Sequence, residues 1–485
     1  MSTASERHPR YLSRAGTGDF RAALQLLPAF LFVIAPLVLG SAIALASAHT
    51  HGLTYLFGGL AAGAILVLLF YVPVRALPLI ALLVTLLVPT ETTFLPHLLQ
   101  GTAPGVVPLG IWMIRARTSA KAPAALRGLA LALAFWLVLS EIFAPFHSHH
   151  GWEWLITASV AMIIVVLYTP SGLKPQSFRS LFLGITTALG AYALLEGFLL
   201  HHNFLFGVLF EHDSWWVTQQ HSASYRATTL LGHPLVNGTI FSAAAVLAAS
   251  EMVHKSARSR IALLRLTVLI GATIATHSRG AAIALAVGLI VVIAFSRGRG
   301  EGQQTRRLVL IVSFIVGGAF LIYGLQARNE SQQGQSSAEV RVTVIKRAAE
   351  TLRLVEPFGA GPGESDGYRA AKQLPGWEID LENSYAELAV SIGLVGLFLV
   401  VALLVGIVVF GLQNDIVVGE AAALLTILVD IAGFNAIEGH KPLLIVIALL
   451  AILILATPRR SAKLGGQTEH WSVEYENREP VPQGS

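Results

Sequence analysis

Cysteine is absent from the 485 residues, which removes disulfides, thiolate nucleophiles and cysteine-ligated metals together. That absence says nothing of compartment, because a helical bundle in a bilayer needs no such staples. Charge is scarce too: charged residues make up 13% of the chain against 54% hydrophobic. This balance excludes an ordinary soluble globule and points to a polytopic membrane protein. No Walker lysine loop, GxSxG elbow or HExxH helix is present, so those chemistries have no signature here. There is no repeat of fixed period.

Apolar runs recur almost end to end, and a spanning helix needs roughly twenty such residues. The chain therefore reads as an all-α integral-membrane bundle over residues 26–456, between tails at 1–25 and 457–485. The basic N-terminal tail is too long and polar to lead a cleavable signal, and the polar C-terminal tail reads as disordered. Candidate spans are Leu26–Ala46, Leu53–Val72, Leu77–Val88, Val106–Ile114, Leu126–Ala144, Glu153–Tyr168, Leu181–Leu200, Leu235–Met252, Ile261–Ala275, Ala281–Phe295, Leu308–Leu325, Tyr385–Leu412, Gly419–Phe434 and Leu443–Ala456. The third and fourth are short, either two tilted spans or a re-entrant pair, so the count is about twelve to fourteen.

Lys and Arg set the orientation. With a cytoplasmic N-terminus and alternating spans, 23 of the 33 basic residues fall on the cytoplasmic side, and so do both termini. Seven of the others lie in one long outer loop, 326–384; a second outer excursion covers 201–234. The long loop opens with polar, flexible RNESQQGQSSAE. In the next stretch Val340, Val344, Ala348, Leu352 and Val355 recur at helical spacing. That predicts an amphipathic helix over Glu339–Leu354, on the membrane surface or over a chamber.

The stretch Pro357–Gly396 organises the rest. Its first half is glycine-punctuated and polar, so it reads as loop on a wet face. Its second half runs without a break into an apolar helix. The box Glu382-Asn383-Ser384-Tyr385 thus sits where a watery chamber meets hydrocarbon.

Outside the long loop, Arg226, Arg279 and Lys441 break the rule that outer loops are poor in basic residues. Arg279 lies in the tight turn Thr276–Gly280, where Gly280 allows close approach. A permanently charged fork there suits a phosphate or diphosphate, or it snorkels to lipid headgroups. Arg226, ahead of the turn Leu230–Pro234, carries the same two readings. Arg341 is a ligand for glycan or a charge on a solvated helix face. Glu382 and Asp380 are general-base candidates or helix caps. Polar groups at membrane depth are functional hypotheses by default: Tyr192, Glu196 and Asp430 qualify, with Asn435, Glu438 and His440 at the outer edge. His147, His149 and His150 form a loop cluster that could bind metal, though such close spacing is weak support.

Taken together, four pieces of sequence resemble the O-antigen ligase and O-antigen polymerase superfamily. They are Arg226 followed by GHPLVNG; the turn Ser278-Arg279-Gly280; Arg341 leading into PFGAGPG; and NSYAELAVSIGLVG. The resemblance spans Arg226 to Gly396. It implies a C-type glycosyltransferase fold in the cytoplasmic (inner) membrane, with an extracytoplasmic active site that uses neither metal nor cofactor. It also implies a polyprenyl-diphosphate-linked glycan donor and a glycan or lipid-glycan acceptor. The partners are those substrates and membrane lipids, with no nucleic acid. Arg226 and Arg279 would hold the diphosphate, Glu382 would deprotonate or orient the acceptor, and Arg341, His233, Asn383 and Tyr385 would bind substrate. The ligases carry a histidine just before the Asn-Ser-Tyr box, where this chain has Glu382; that departure leaves the base open and tips the reading from ligase toward polymerase. A reading of another class, a transporter or flippase for lipid-linked sugar, requires polar and charged groups stacked through the midplane.

Overall fold

The structure, a computed structural model, describes residues 65, 67–88, 103–116, 118–120, 122–170, 172–205, 225–254, 259–295, 311, 332–374 and 381–457. The candidate span Leu26–Ala46, nearly all of Leu308–Leu325, most of Leu53–Val72 and of the loop over 201–234, both tails and Asp380 lie outside them. So does the side chain of Arg341.

In chain order the helices are α1 (Leu77–Leu87), α2 (Val106–Arg115), α3 (Ala124–Phe143), α4 (His149–Leu167), α5 (Pro175–Leu200), α6 (Pro234–His254), α7 (Ser259–Ala275), α8 (Arg279–Phe295), α9 (Gln332–Val355), α10 (Ser365–Ala371), α11 (Ser384–Leu412), α12 (Val418–Asp430) and α13 (Pro442–Ala456). Among the described residues α3, α4, α5, α6 and α11 are long and apolar enough to cross a membrane. α1, α2, α8 and α13 are apolar but shorter. The protein is thus a mostly helical membrane protein. One element departs from the all-α expectation: a short antiparallel ribbon of β1 (Thr118–Ala120) and β2 (Thr169–Pro170). Such short segments carry no periodicity to read.

Small residues explain the core. In α6, residues Ala243 to Ala249 are fully buried, and this helix packs against α5, α7, α8 and α12. Without large side chains the backbones approach closely, which is how helices associate in lipid. At Gly288 of α8, a methyl group would lie 2.1 Å from the Thr426 hydroxyl of α12. In α13, Leu443 to Leu455 are all buried. On α3, by contrast, Leu131, Phe135, Val138 and Ile142 are exposed, a face fit for lipid.

Among the described residues, several hydroxyls lie buried between the two ends of the bundle. Thr186, Ser242, Thr273 and Thr426 each donate to a carbonyl of their own helix, at 2.7, 3.0, 2.8 and 2.9 Å. Charges gather at the two ends. At one end Arg179 clasps Glu420 through two 2.6 Å bonds, Arg265 lies 3.6 Å from Glu251, and Arg115 donates to Val72 O at 2.7 Å. These are residues that the basic-residue count assigns to one common side.

Two expectations about the long loop are corrected. The stretch read as flexible is partly helical: α9 starts at Gln332, seven residues before Glu339. Its Gln, Ser and Ala residues include no proline to stop the helix from extending backwards. More consequential, the helix after the box does break. Gly393 has φ 71° and ψ 171° inside α11, conformations open essentially to glycine alone. The break frees carbonyls at membrane depth, which must find donors. The glycine-rich loop supplies them: Ala360 N reaches Val390 O at 2.7 Å and Gly361 N reaches Ser391 O at 3.0 Å. Trp136 Nε1 of α3 donates to Ile392 O at 2.7 Å. The loop is therefore docked into the broken helix, not lying loose on a wet face.

Candidate functional site

The end of the bundle opposite the Arg179–Glu420 pair holds the sequence-predicted residues. α6, α8, α11 and α13 all begin there, so the positive ends of their dipoles converge on one region.

Arg226 is set on a segment that a buried carboxylate holds in place. Glu196, at the end of α5, accepts from Tyr225 Oη and Thr228 N at 2.7 Å each, Thr228 Oγ1 at 3.0 Å and Thr229 N at 3.0 Å. Asn203 Nδ2 donates to Thr228 Oγ1 and Thr229 O, each at 2.7 Å, and Tyr192 Oη bonds Asn203 Oδ1 at 3.1 Å. Burial, followed by the neighbouring Glu196 charge, raises the Tyr225 hydroxyl pKa well above its ordinary value. Tyr192 and Glu196, read as candidates at membrane depth, thus build the scaffold beneath Arg226. Thr229 takes φ 42°, a strained conformation that such a network can hold.

The two arginines share a neighbourhood. Arg226 Nε donates to Thr276 O at 2.9 Å, three residues before Arg279. Ser278 Oγ accepts from Ala281 N at 3.2 Å and opens α8, while His277 takes φ 51°. Arg279 Nη2 is buried and has no hydrogen-bond partner among the described residues. Gly280 does permit a close approach, but by a carboxylate: a methyl there would lie 2.5 Å from Asp430 Oδ1. Asp430 Oδ2 in turn accepts from Thr239 at 2.6 Å.

His233 follows Arg226 on the same segment. Its ring stacks 6.3 Å from Phe434 and lies 4.5 Å from His440, centroid to centroid. Burial, then His440, then Arg226 hold its pKa well below the usual imidazole range.

The box divides its labour. Asn383 is the cap: Oδ1 accepts from Tyr385 N and Ala386 N at 3.0 Å each, and Nδ2 donates to Ala432 O at 2.9 Å. Tyr385 Oη donates to Leu428 O at 2.5 Å. The structure thus places Asn383 and Tyr385, two of the four residues assigned to substrate binding, in contacts that hold α11. Because Asn383 caps the helix, Glu382 is not needed for that role. Glu382 stays half-exposed beside it.

Ser384, unremarked in the sequence, fastens a second loop to the box. Its Oγ donates to Phe434 O at 2.8 Å and accepts from Ala436 N at 2.7 Å and Ile437 N at 3.2 Å. From the same loop Glu438 Oε2 accepts from Ser365 Oγ at 2.7 Å. Burial pushes the Glu438 carboxyl up to about 7. Lys441 Nζ donates to buried Glu153 at 2.9 Å, and Trp154 Nε1 donates to Ile437 O at 3.0 Å. Lys441 is thus paired at this end. The histidine cluster is engaged with carboxylates: His149 and His150 lie 3.1 and 3.6 Å from Glu153, and His147 lies 3.3 Å from Glu141. Sequence reasoning singled out Asn435, Glu438 and His440 only as polar groups near the surface. Nothing local marks residues 434–441 as the hub joining box, glycine-rich loop and α4.

Residues 262–401 match the family model described as O-antigen ligase. The match takes in Arg279, α9, the glycine-rich loop, the box and the break in α11. Arg226, His233 and the loop over 434–441 lie outside it. No curated protein sequence matches the chain.

Proposed function

Through residues 262–401 the chain belongs to the O-antigen ligase and polymerase superfamily, and on that premise we propose that it transfers glycan from a polyprenyl-diphosphate-linked donor to an acceptor hydroxyl at the outer face of the cytoplasmic membrane. The observation that carries this reading is the pair of arginines on adjacent turns, one with a buried Nη2 lacking a hydrogen-bond partner among the described residues, where four helix N-termini converge. Departure of a diphosphate builds negative charge on its bridging oxygen, and preorganised donors aimed at such charge usually contribute more to catalysis than any other effect. Arg226 and Arg279 fill that role. Glu382 deprotonates or orients the acceptor, and Arg341, on α9, binds the glycan. A single displacement inverts the anomeric carbon.

Polymerase is favoured over ligase, because the box carries Glu382 where the ligases carry histidine. A transporter is disfavoured because the ion pairs among the described residues lie toward the ends of the bundle, while Thr186, Thr273 and Thr426 bond to their own helices. Profiling of lipid-linked glycan in a deletion strain tests the choice. Accumulated single lipid-linked units support a polymerase, long lipid-linked chains support a ligase, and an unchanged profile refutes both.

A further inference from the structure

We propose that His440 takes the proton from the acceptor hydroxyl, with His233 seating its ring, and that Glu382 orients the acceptor. The proposal rests on the glycosyl-transfer reading above. It starts from the loop 434–441, which is fastened on three sides: by Ser384 of the box, by Ser365 beside the glycine-rich loop, and by Glu153 and Trp154 of α4. A group carried by so constrained a loop is preorganised, as a catalytic group must be.

The ring itself is poised between a packed face and an open one. One side lies 4.5 Å from His233, and Phe434 flanks the two rings at 6.1 and 6.3 Å. His233 is buried and follows Arg226 on its segment; its Nδ1 accepts from Leu235 N at 3.3 Å, which leaves its proton on Nε2. His440 is only half-buried, so an edge of the ring stays open to an incoming hydroxyl. Burial lowers its pKa to about 4. The ring is therefore neutral near pH 7, with a lone pair available. A bound diphosphate would add negative charge nearby and strengthen the ring's hold on a proton as the reaction proceeds.

In the step, the acceptor oxygen bonds to the anomeric carbon while that carbon's bond to the diphosphate oxygen breaks. The bonding pair leaves on the diphosphate, facing Arg226 and Arg279. The hydroxyl proton passes to His440, and the imidazolium releases it to water.

The test uses the full chain in vesicles, with polyprenyl-diphosphate-linked glycan extracted from cells lacking this chain. For His440→Gln, kcat should fall about a hundred- to ten-thousand-fold, with donor KM near that of the wild type. Added imidazole should restore part of the turnover of His440→Gly. Glu382→Gln should instead raise acceptor KM more than it lowers kcat. Near-normal kcat for His440→Gln overturns the proposal, as does loss of kcat in Glu382→Gln alone. Should His440→Gln fail to fold, the imidazole experiment decides, and no restoration counts against the proposal. If wild-type chain releases no polyprenyl diphosphate, the glycosyl-transfer reading itself falls.

Discussion

Replacing Gly393 by alanine should cripple the fold at the point where loop and helix meet. The added methyl would lie 2.0 Å from Pro357 O, a backbone atom that cannot rotate away. At φ 71° and ψ 171°, holding a non-glycine residue costs about 1–3 kcal/mol. Relieving the clash means withdrawing the loop from the break. That endangers two hydrogen bonds, to the Val390 and Ser391 carbonyls, each contributing about 0.5–1.5 kcal/mol. With the strain the total is about 2–6 kcal/mol, a large part of the stability of a whole domain. Gly128 on α3 is the control, since a methyl there meets nothing within 4 Å. The assay is the fraction that stays monodisperse in detergent after stepwise heating. Gly393→Ala should lose monodispersity well below the wild type, and Gly128→Ala should match it. If the two variants behave alike, α11 is continuous and the docked loop is wrong.

Arg279→Lys keeps the charge but loses the planar fork, so its activity should approach that of Arg279→Ala at unchanged membrane levels; near-normal activity would make Arg279 a point charge for headgroups. Glu196→Gln replaces an acceptor of four hydrogen bonds with a group that also donates, at a cost of about 1–3 kcal/mol. Glycan transfer should drop with it because the Arg226 segment loosens, whereas a drop in neither stability nor transfer would mean that the network does not position Arg226. The Glu438 carboxyl titrates higher folded than unfolded, about 7 against 4.5. The folded state therefore holds its proton longer, and stability falls as pH rises from about 4.5 to 7. Glu438→Gln should melt above the wild type at pH 8 and close to it at pH 5; a gap independent of pH would refute this.

The helices were legible because lipid demands long apolar runs, and Ser384–Leu412 or Pro234–His254 have little else to be. Arg226 and Arg279 stood out because alternating the spans leaves few basic residues on the side to which it assigns them. The break at Gly393 was not legible: one glycine in an apolar run reads as a tolerated residue, and only the docked loop supplies the donors that make a break tolerable in lipid. Asn383 as the cap was readable in principle, since asparagine ahead of an apolar helix is a favoured N-cap. The scaffold round Glu196 and the loop carrying His440 depend on partners far apart in the chain, such as Ser384 with Phe434 and Lys441 with Glu153. No local pattern announces such pairings.

Glycan transfer by this mechanism releases the carrier's diphosphate. Purified chain in vesicles, supplied with lipid-linked glycan from the deletion strain, tests it by counting free polyprenyl diphosphate against new glycan linkages. Equal amounts of both are expected, with neither formed by Arg279→Ala. Movement of intact lipid-linked glycan across the bilayer, with no polyprenyl diphosphate released, would contradict it.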